Sequence, residues 1–272
     1  MLELIAGYFT TGWQLAILLS VVCVTVASGL LSPIVVANRM AFFSDAVAHS
    51  TLAGVALGML LGWGSPFALM AGSGVLVALL IATLRRRSPL GLDTLLGVAM
   101  AGTLAVGVLL YERARGYADL HSYLFGGKLS FLDWTDVAVL AGNALLAVGV
   151  VSLLGNRLAL MAVSAPLAGA RGVSTARHEY LLIVLLGLMV SLSVRAVGLL
   201  LVNSLLVLPA AASRSVARSY AGMCWGALLV AVVSGLVGLI GGDLLGVAPA
   251  PAIVVAAVAC FAVAQGLRVL RA

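Results

Sequence analysis

The chain is a succession of apolar runs, each long enough to cross a bilayer, and that fixes most of what it can fold into. Residues 14–38 read QLAILLSVVCVTVASGLLSPIVVAN, without one charged side chain. Residues 137–156 and 220–242 are equally free of charge. About 20 such residues in a helix span the hydrocarbon core. In hydrocarbon every backbone N–H and C=O must find an internal partner, and a single apolar run achieves this only as a helix. Spans are expected near 13–36, 43–62, 66–84, 91–110, 133–154, 180–195, 196–212, 221–241 and 250–268. The boundary at Arg195 is the weak one, because it divides one long apolar stretch. That stretch is two crossings with a tight turn, or one crossing plus a re-entrant segment. In a membrane Arg195 snorkels outward or bonds the carbonyls of a broken helix. The expected fold is therefore all-α, a polytopic integral membrane protein of eight or nine transmembrane helices. It forms a single domain over 1–272 with no linker or low-complexity tail.

Composition agrees. Charged residues make up 9% and hydrophobic residues 63% of the chain, against roughly 25% charged in a soluble domain. The net charge of +6 comes from arginines in short loops, as cytoplasmic loops carry them. No basic face or motif points to nucleic acid. Cys23, Cys224 and Cys260 lie inside apolar runs and read as small hydrophobes, neither disulfides nor zinc thiolates. The start, MLELIAGYFTTGW, has no basic segment ahead of its apolar run, which argues against a cleaved signal.

Orientation follows from the basic residues. With the N-terminus outside, the inner loops and tail hold Arg39, Arg85, Arg86, Arg87, Arg157, Arg171, Arg177, Arg214, Arg218, Arg268 and Arg271. The outer side holds Arg113, Arg115, Lys128 and the ambiguous Arg195. An outside N-terminus and a cytoplasmic C-terminus are preferred, and these ends require an odd number of crossings. Glu3, Glu112, Asp119, Asp133, Asp136 and Asp243 fall on the outer side. They form an acidic entrance that concentrates cations, or serve as ordinary loop polarity and helix caps. Asp93 is expected to cap its helix or pair with Arg85–Arg87. His178, beside Glu179, reads as part of a helix start.

Within this apolar chain stands FFSDAVAHST, residues 42–51. Asp45 and His49 are four apart, so on a helix they share one face, one turn from each other. A carboxylate oxygen and an imidazole nitrogen are good ligands for Zn²⁺ or Mn²⁺. Two ligands do not make a tight site, but two copies about a twofold axis would supply four. The plainer readings are a helix cap at Ser44 or Asp45 and a histidine bonded to a backbone carbonyl. Ionisable groups inside a membrane are costly and mark function by default. Ser50, Gly54, Gly58 and Gly62 recur every four residues on the same segment, a small-residue stripe that admits a close helix neighbour. No Walker A loop, dinucleotide fingerprint or nucleophile elbow occurs, so any ATP would be hydrolysed by another subunit.

Four segments carry a resemblance. NRMAFFSDAVAHSTLAGVALGMLLG (38–62), LDTLLGVAMA (92–101), YLFGGKLSFLDWTDV (123–137) and AVGLLLVNSLLVLPAAASRSVARS (196–219) resemble, in order, motifs of the metal-permease family of ABC importers. That family carries zinc, manganese or iron(II). The resemblance implies a type II-like ABC importer permease acting as a homodimer. Two cytoplasmic ATP-binding cassette subunits would sit beneath it, and an extracytoplasmic metal-binding protein would deliver the ion. It places the family's ion-contacting Asp and His on Asp45 and His49. It also makes the segment after Pro209 the ATPase-coupling element, including Ser213, Arg214 and Arg218.

The residues support part of that. LPAAASRSVARS reads as a short helix of small residues with Arg214 and Arg218 at i and i+4, suited to an ATPase cleft or to an ordinary positive-inside loop. Asn203, in mid-run, bonds across helices or lines the path. Asp119 and His121 are candidates for contact with the delivery protein, against the plain reading of an exposed polar loop. No cofactor is expected to stay bound. The transported ion is Zn²⁺ or Mn²⁺, with zinc preferred for four N/O ligands, and ATP belongs to the partner subunit. The expected location is a bacterial or archaeal plasma membrane. Rivals are a manganese or iron importer of the same family, a standalone proton-coupled metal carrier, an intramembrane metalloenzyme, and a carrier of organic chelates. The metalloenzyme lacks a third ligand, since His121 and His178 both lie in loops. The charged pair suits a bare ion better than a chelate.

Overall fold

The computed structural model describes residues 12–62, 66–114 and 132–271, and all the regular structure among them is helical. The helices are α1 (Gly12–Ala37), α2 (Phe43–Leu61), α3 (Pro66–Arg87), α4 (Leu92–Ala114), α5 (Trp134–Val163), α6 (Ala165–Ala170), α7 (Thr175–Val197), α8 (Leu199–Val216), α9 (Tyr220–Leu245) and α10 (Pro249–Arg271). Among the described residues, eight of them are long and apolar enough to cross a membrane: α1, α3, α4, α5, α7, α8, α9 and α10. Counting α2, whose 19 residues reach about 28 Å at 1.5 Å per residue, gives nine. The all-helical, many-span architecture is the one the apolar runs dictate. The three cysteines are free.

The long stretch around Arg195 breaks elsewhere than expected. Helix α7 runs through Arg195 to Val197, and the break is at Gly198, with φ +82° and ψ 161°. A side chain would clash in that backbone conformation, so glycine sets the boundary and the arginine does not. The two helices then splay instead of folding back as a pair. Helix α7 packs on α3 and α5, while α8 packs on α1, α9 and α10. The six-residue helix α6 was not expected. Ser164 caps it, its hydroxyl accepting from Leu167 N at 3.3 Å.

Small residues let the helices close on one another. A Cβ at Gly187 would lie 2.7 Å from Ala78 Cβ and 3.0 Å from Gly74 O, so α7 and α3 touch nearly backbone to backbone. The stripe on α2 acts in the same way, with Gly54 facing Leu69 and Ser73 of α3.

Polar contacts gather the basic ends of the helices. Arg85 Nε bonds Glu179 Oε1 at 3.0 Å, and the Arg86 guanidinium lies over the Tyr180 ring, 5.9 Å from its centroid. A cavity of about 150 Å³ joins Asn38, Arg85, Ala165, Thr175 and Glu179. Ser32 of α1 accepts from Ala210 N of α8 at 3.0 Å. The C-terminal ends of α1, α3, α5 and α8 therefore lie at one end of the bundle. Asp93 is exposed in the first turn of α4, and the carboxylate that pairs with Arg85 is that of Glu179. His178 lies in the first turn of α7, its Nδ1 2.8 Å from Ser174 O. Far from these, Asp133 precedes α5 and its N–H donates to Asp136 Oδ2 at 3.2 Å.

The backbone approach at Gly187 predicts a contrast between two substitutions. Gly187→Ala should lower the melting temperature in detergent by several degrees, for a cost of about 1–3 kcal/mol. Gly72→Ala, where a Cβ meets open space, should leave it unchanged or slightly raised. Equal melting temperatures for the two variants would contradict the packing.

Candidate metal site

Helix α2 starts abruptly. Arg39 adopts φ +58°, Phe43 N donates to Met40 O at 3.0 Å, and Met40 and Phe43 are both fully buried. These two side chains anchor the turn, and α2 leaves it without packing along α1. Asp45 lies in the first turn, where the free N–H groups and the helix dipole favour a carboxylate. His49 follows one turn later, within electrostatic reach of Asp45. The stripe that carries the pair continues through Ala53, Leu57 and Leu61. Asp45 and His49 are half-buried on it, Ala53 packs against Gly107 of α4, and only its far end is open, with Leu57 45% and Leu61 60% exposed. The other sides are enclosed: Ala46, Val47, Ala48, Leu52 and Ala56 are all buried.

Asp45 is held from across the bundle. Asn203, in the first turns of α8, donates from Nδ2 to Asp45 Oδ2 at 3.0 Å. Its Oδ1 accepts from Ser44 Oγ at 2.7 Å. This orientation of the amide is forced, because the reverse would set two acceptors face to face. A hydrogen bond to a charged group contributes about 1.5–3 kcal/mol, so the clamp fixes the carboxylate firmly. Asn203 precedes the exposed Arg214 by eleven residues, about 16 Å along a helix.

The contacts of Ser44 and His49 differ from their plainer readings. The Ser44 hydroxyl goes to Asn203 rather than capping the helix, with only a long 3.5 Å approach to Ala41 O. His49 Nδ1 is buried with no hydrogen-bond partner, so it is not tied to a carbonyl. Among the described residues no group of three or more His, Cys, Asp and Glu could hold a metal. Among them, Asp45 and His49 are the two candidate ligands of one protomer.

The family model described as the ABC 3 transport family matches residues 12–267, nearly the whole chain. The chain belongs to the ABC 3 transport family. Relatives within it are similar along most of their length. The high-affinity zinc uptake system membrane protein ZnuB of Haemophilus influenzae is 30% identical, over 88% of this chain and 91% of that protein. The manganese import system permease protein ScaB of Streptococcus gordonii is also 30% identical, over 74% of this chain and 72% of that protein. Among solved structures, PsaBC from Streptococcus pneumoniae in complex with Fab matches with a TM-score of 0.84 and 26% identity, covering 99% of both chains.

In this ABC 3 family chain the remaining sequence candidates divide. Asn203 bonds across helices, and it does so onto the candidate ligand itself. Pro209 and Ser213 are buried, and Ser213 Oγ donates to Met223 O of α9 at 2.9 Å. Ser213 thereby ties α8 to α9. Arg214 and Arg218 are exposed, but they do not share a helix face as the i, i+4 spacing suggested. Helix α8 ends at Val216, its cap Ala217 is extended, and Ser219 begins α9 by accepting from Gly222 N. The two arginines instead line a surface groove of about 290 Å³ with Tyr220 and Met223. Asp119 and His121 lie outside the described residues. Sequence reasoning missed the clamp from Ser44 through Asn203 to Asp45. Its only signal was one asparagine in an apolar run.

Proposed function

We propose that this chain is the membrane-spanning permease of an ATP-driven importer for a divalent metal ion, zinc in the first place, and that it works as a homodimer. The observation that carries this is the half-buried Asp45–His49 pair on one face of α2, with Asp45 clamped by Asn203 and the His49 Nδ1 left without a partner. An ionisable pair inside a membrane protein is costly, and two ligands bind an ion weakly. A second copy applied to that stripe removes both problems. It covers the apolar flank at Leu57 and Leu61 and completes a set of two carboxylates and two imidazoles. The set contains no thiolate, so release into the cell is not blocked. Four N/O ligands suit tetrahedral Zn²⁺, and relatives described for zinc and for manganese support a divalent cargo.

The basic end of the bundle is the cytoplasmic one in this reading, by the distribution of arginine. The N-terminus is then outside, in a bacterial or archaeal plasma membrane. The groove at Arg214 and Arg218 opens on the side where two ATP-binding cassette subunits dock. An extracytoplasmic binding protein delivers the ion at the acidic end, where Asp119 and His121 are candidate contacts. ATP binding below reorients the helices and exposes the site alternately to either side. The chain carries out no covalent chemistry, and the whole of 1–272 acts as one permease domain.

Two measurements test this. In proteoliposomes containing the full assembly, Asp45→Ala and His49→Ala should each cut ATP-driven ⁶⁵Zn uptake at least about tenfold, a loss of ~1.4 kcal/mol or more, with His49→Ala leaving the melting temperature unchanged. Undiminished uptake in both variants removes the site. Arg214→Glu with Arg218→Glu should weaken association with the ATPase, and lower metal-stimulated ATP hydrolysis, while zinc binding to the permease stays the same. Full association and hydrolysis would remove the docking assignment.

A further inference from the structure

We infer that Asn203, braced by Ser44, is a positioning residue that sets which ion the site prefers, by disfavouring chelation of the metal through both oxygens of Asp45. This deepens the reading above and rests on it.

Asp45 Oδ2 accepts the Asn203 amide at 3.0 Å. That bond engages one of the two lone pairs on Oδ2 and pins the carboxylate, which makes Oδ1 the freer donor and disfavours chelation through both oxygens. A carboxamide free to rotate would not enforce this. Asn203 is not free, because its own Oδ1 accepts from Ser44 Oγ at 2.7 Å. Ser44 is buried and lies next to Asp45 on α2, so the clamp and the ligand share one helical turn. Two monodentate carboxylates and two imidazoles make a four-coordinate site, which suits Zn²⁺. Release the clamp and each carboxylate can chelate through both oxygens. The coordination number then rises toward six, which suits Mn²⁺. The clamp therefore acts on selectivity rather than on capacity.

The test uses the purified full-length permease in nanodiscs, with Zn²⁺, Mn²⁺ and Co²⁺ as the probes. Wild type, Asn203→Leu, Ser44→Ala, Ser44→Thr and Asp45→Ala are compared by equilibrium binding. Asn203→Leu should lower the ratio of zinc to manganese affinity at least about tenfold. It should also replace the intense visible bands of tetrahedral Co²⁺ with the weak bands of a six-coordinate ion. Ser44→Ala should move both readouts the same way by a smaller amount, and Ser44→Thr, which keeps the hydroxyl, should restore them. If Asn203→Leu does not fold, the two Ser44 variants decide alone. An unchanged ratio and unchanged Co²⁺ spectrum overturn the inference, and so does an equal loss of both metals. Failure of the site itself reads differently: Asp45→Ala then binds every probe as wild type does, or wild type binds none.

Discussion

A carboxylate inside an apolar protein must be compensated, and the arrangement around Asp45 follows from that requirement. One oxygen is matched by the Asn203 amide. The start of α2 supplies backbone N–H groups and the positive end of the helix dipole. What remains is the other oxygen and the neighbouring imidazole, both half-buried. In the function proposed above, a passing dication is the complement, and a second copy of the chain would supply the ligands that the first one lacks. The features that look unrelated along the chain serve this one purpose. The buried anchors Met40 and Phe43 start α2 at the right place, and the break at Gly198 releases α8 to bring Asn203 against it.

Close packing makes such a clamp dependable. In lipid the helices gain little from hydrophobic exclusion, so they associate through small residues and interhelical hydrogen bonds. Gly54 against Ser73 and Gly187 against Gly74 tie α2, α3 and α7 at short range. Ser32 to Ala210 and Asn143 to Met189 tie α1 to α8 and α5 to α7. A site held by these contacts keeps its geometry while the bundle reorients as packed units.

Much of this was legible in the sequence, for identifiable reasons. Length and hydropathy fix a membrane helix locally, so every expected span has its helix. The i, i+4 spacing of Asp45 and His49 fixes their shared face without any tertiary information. The small-residue stripe of α2 announced its close neighbour. What was not legible depends on long range or on backbone preference. Asn203 and Asp45 are 158 positions apart, and nothing local to either names the other. The break at Gly198 was read at Arg195, because the cost of a charge in lipid is more conspicuous than a glycine's backbone freedom. Arg214 and Arg218 were read as one helix face, but Ser219 caps the next helix and ends α8 first. Helix α6 has only six residues, too few for an apolar period.

The claim on which the account turns is that two chains share one ion through Asp45 and His49. It is tested most directly by the zinc content of the purified, nanodisc-embedded dimer at saturation, set against the same dimer of Asp45→Ala. The account predicts one tightly held zinc for each pair of wild-type chains and none for the variant. One zinc held by every separate chain, or the same zinc content with Asp45 removed, would contradict it.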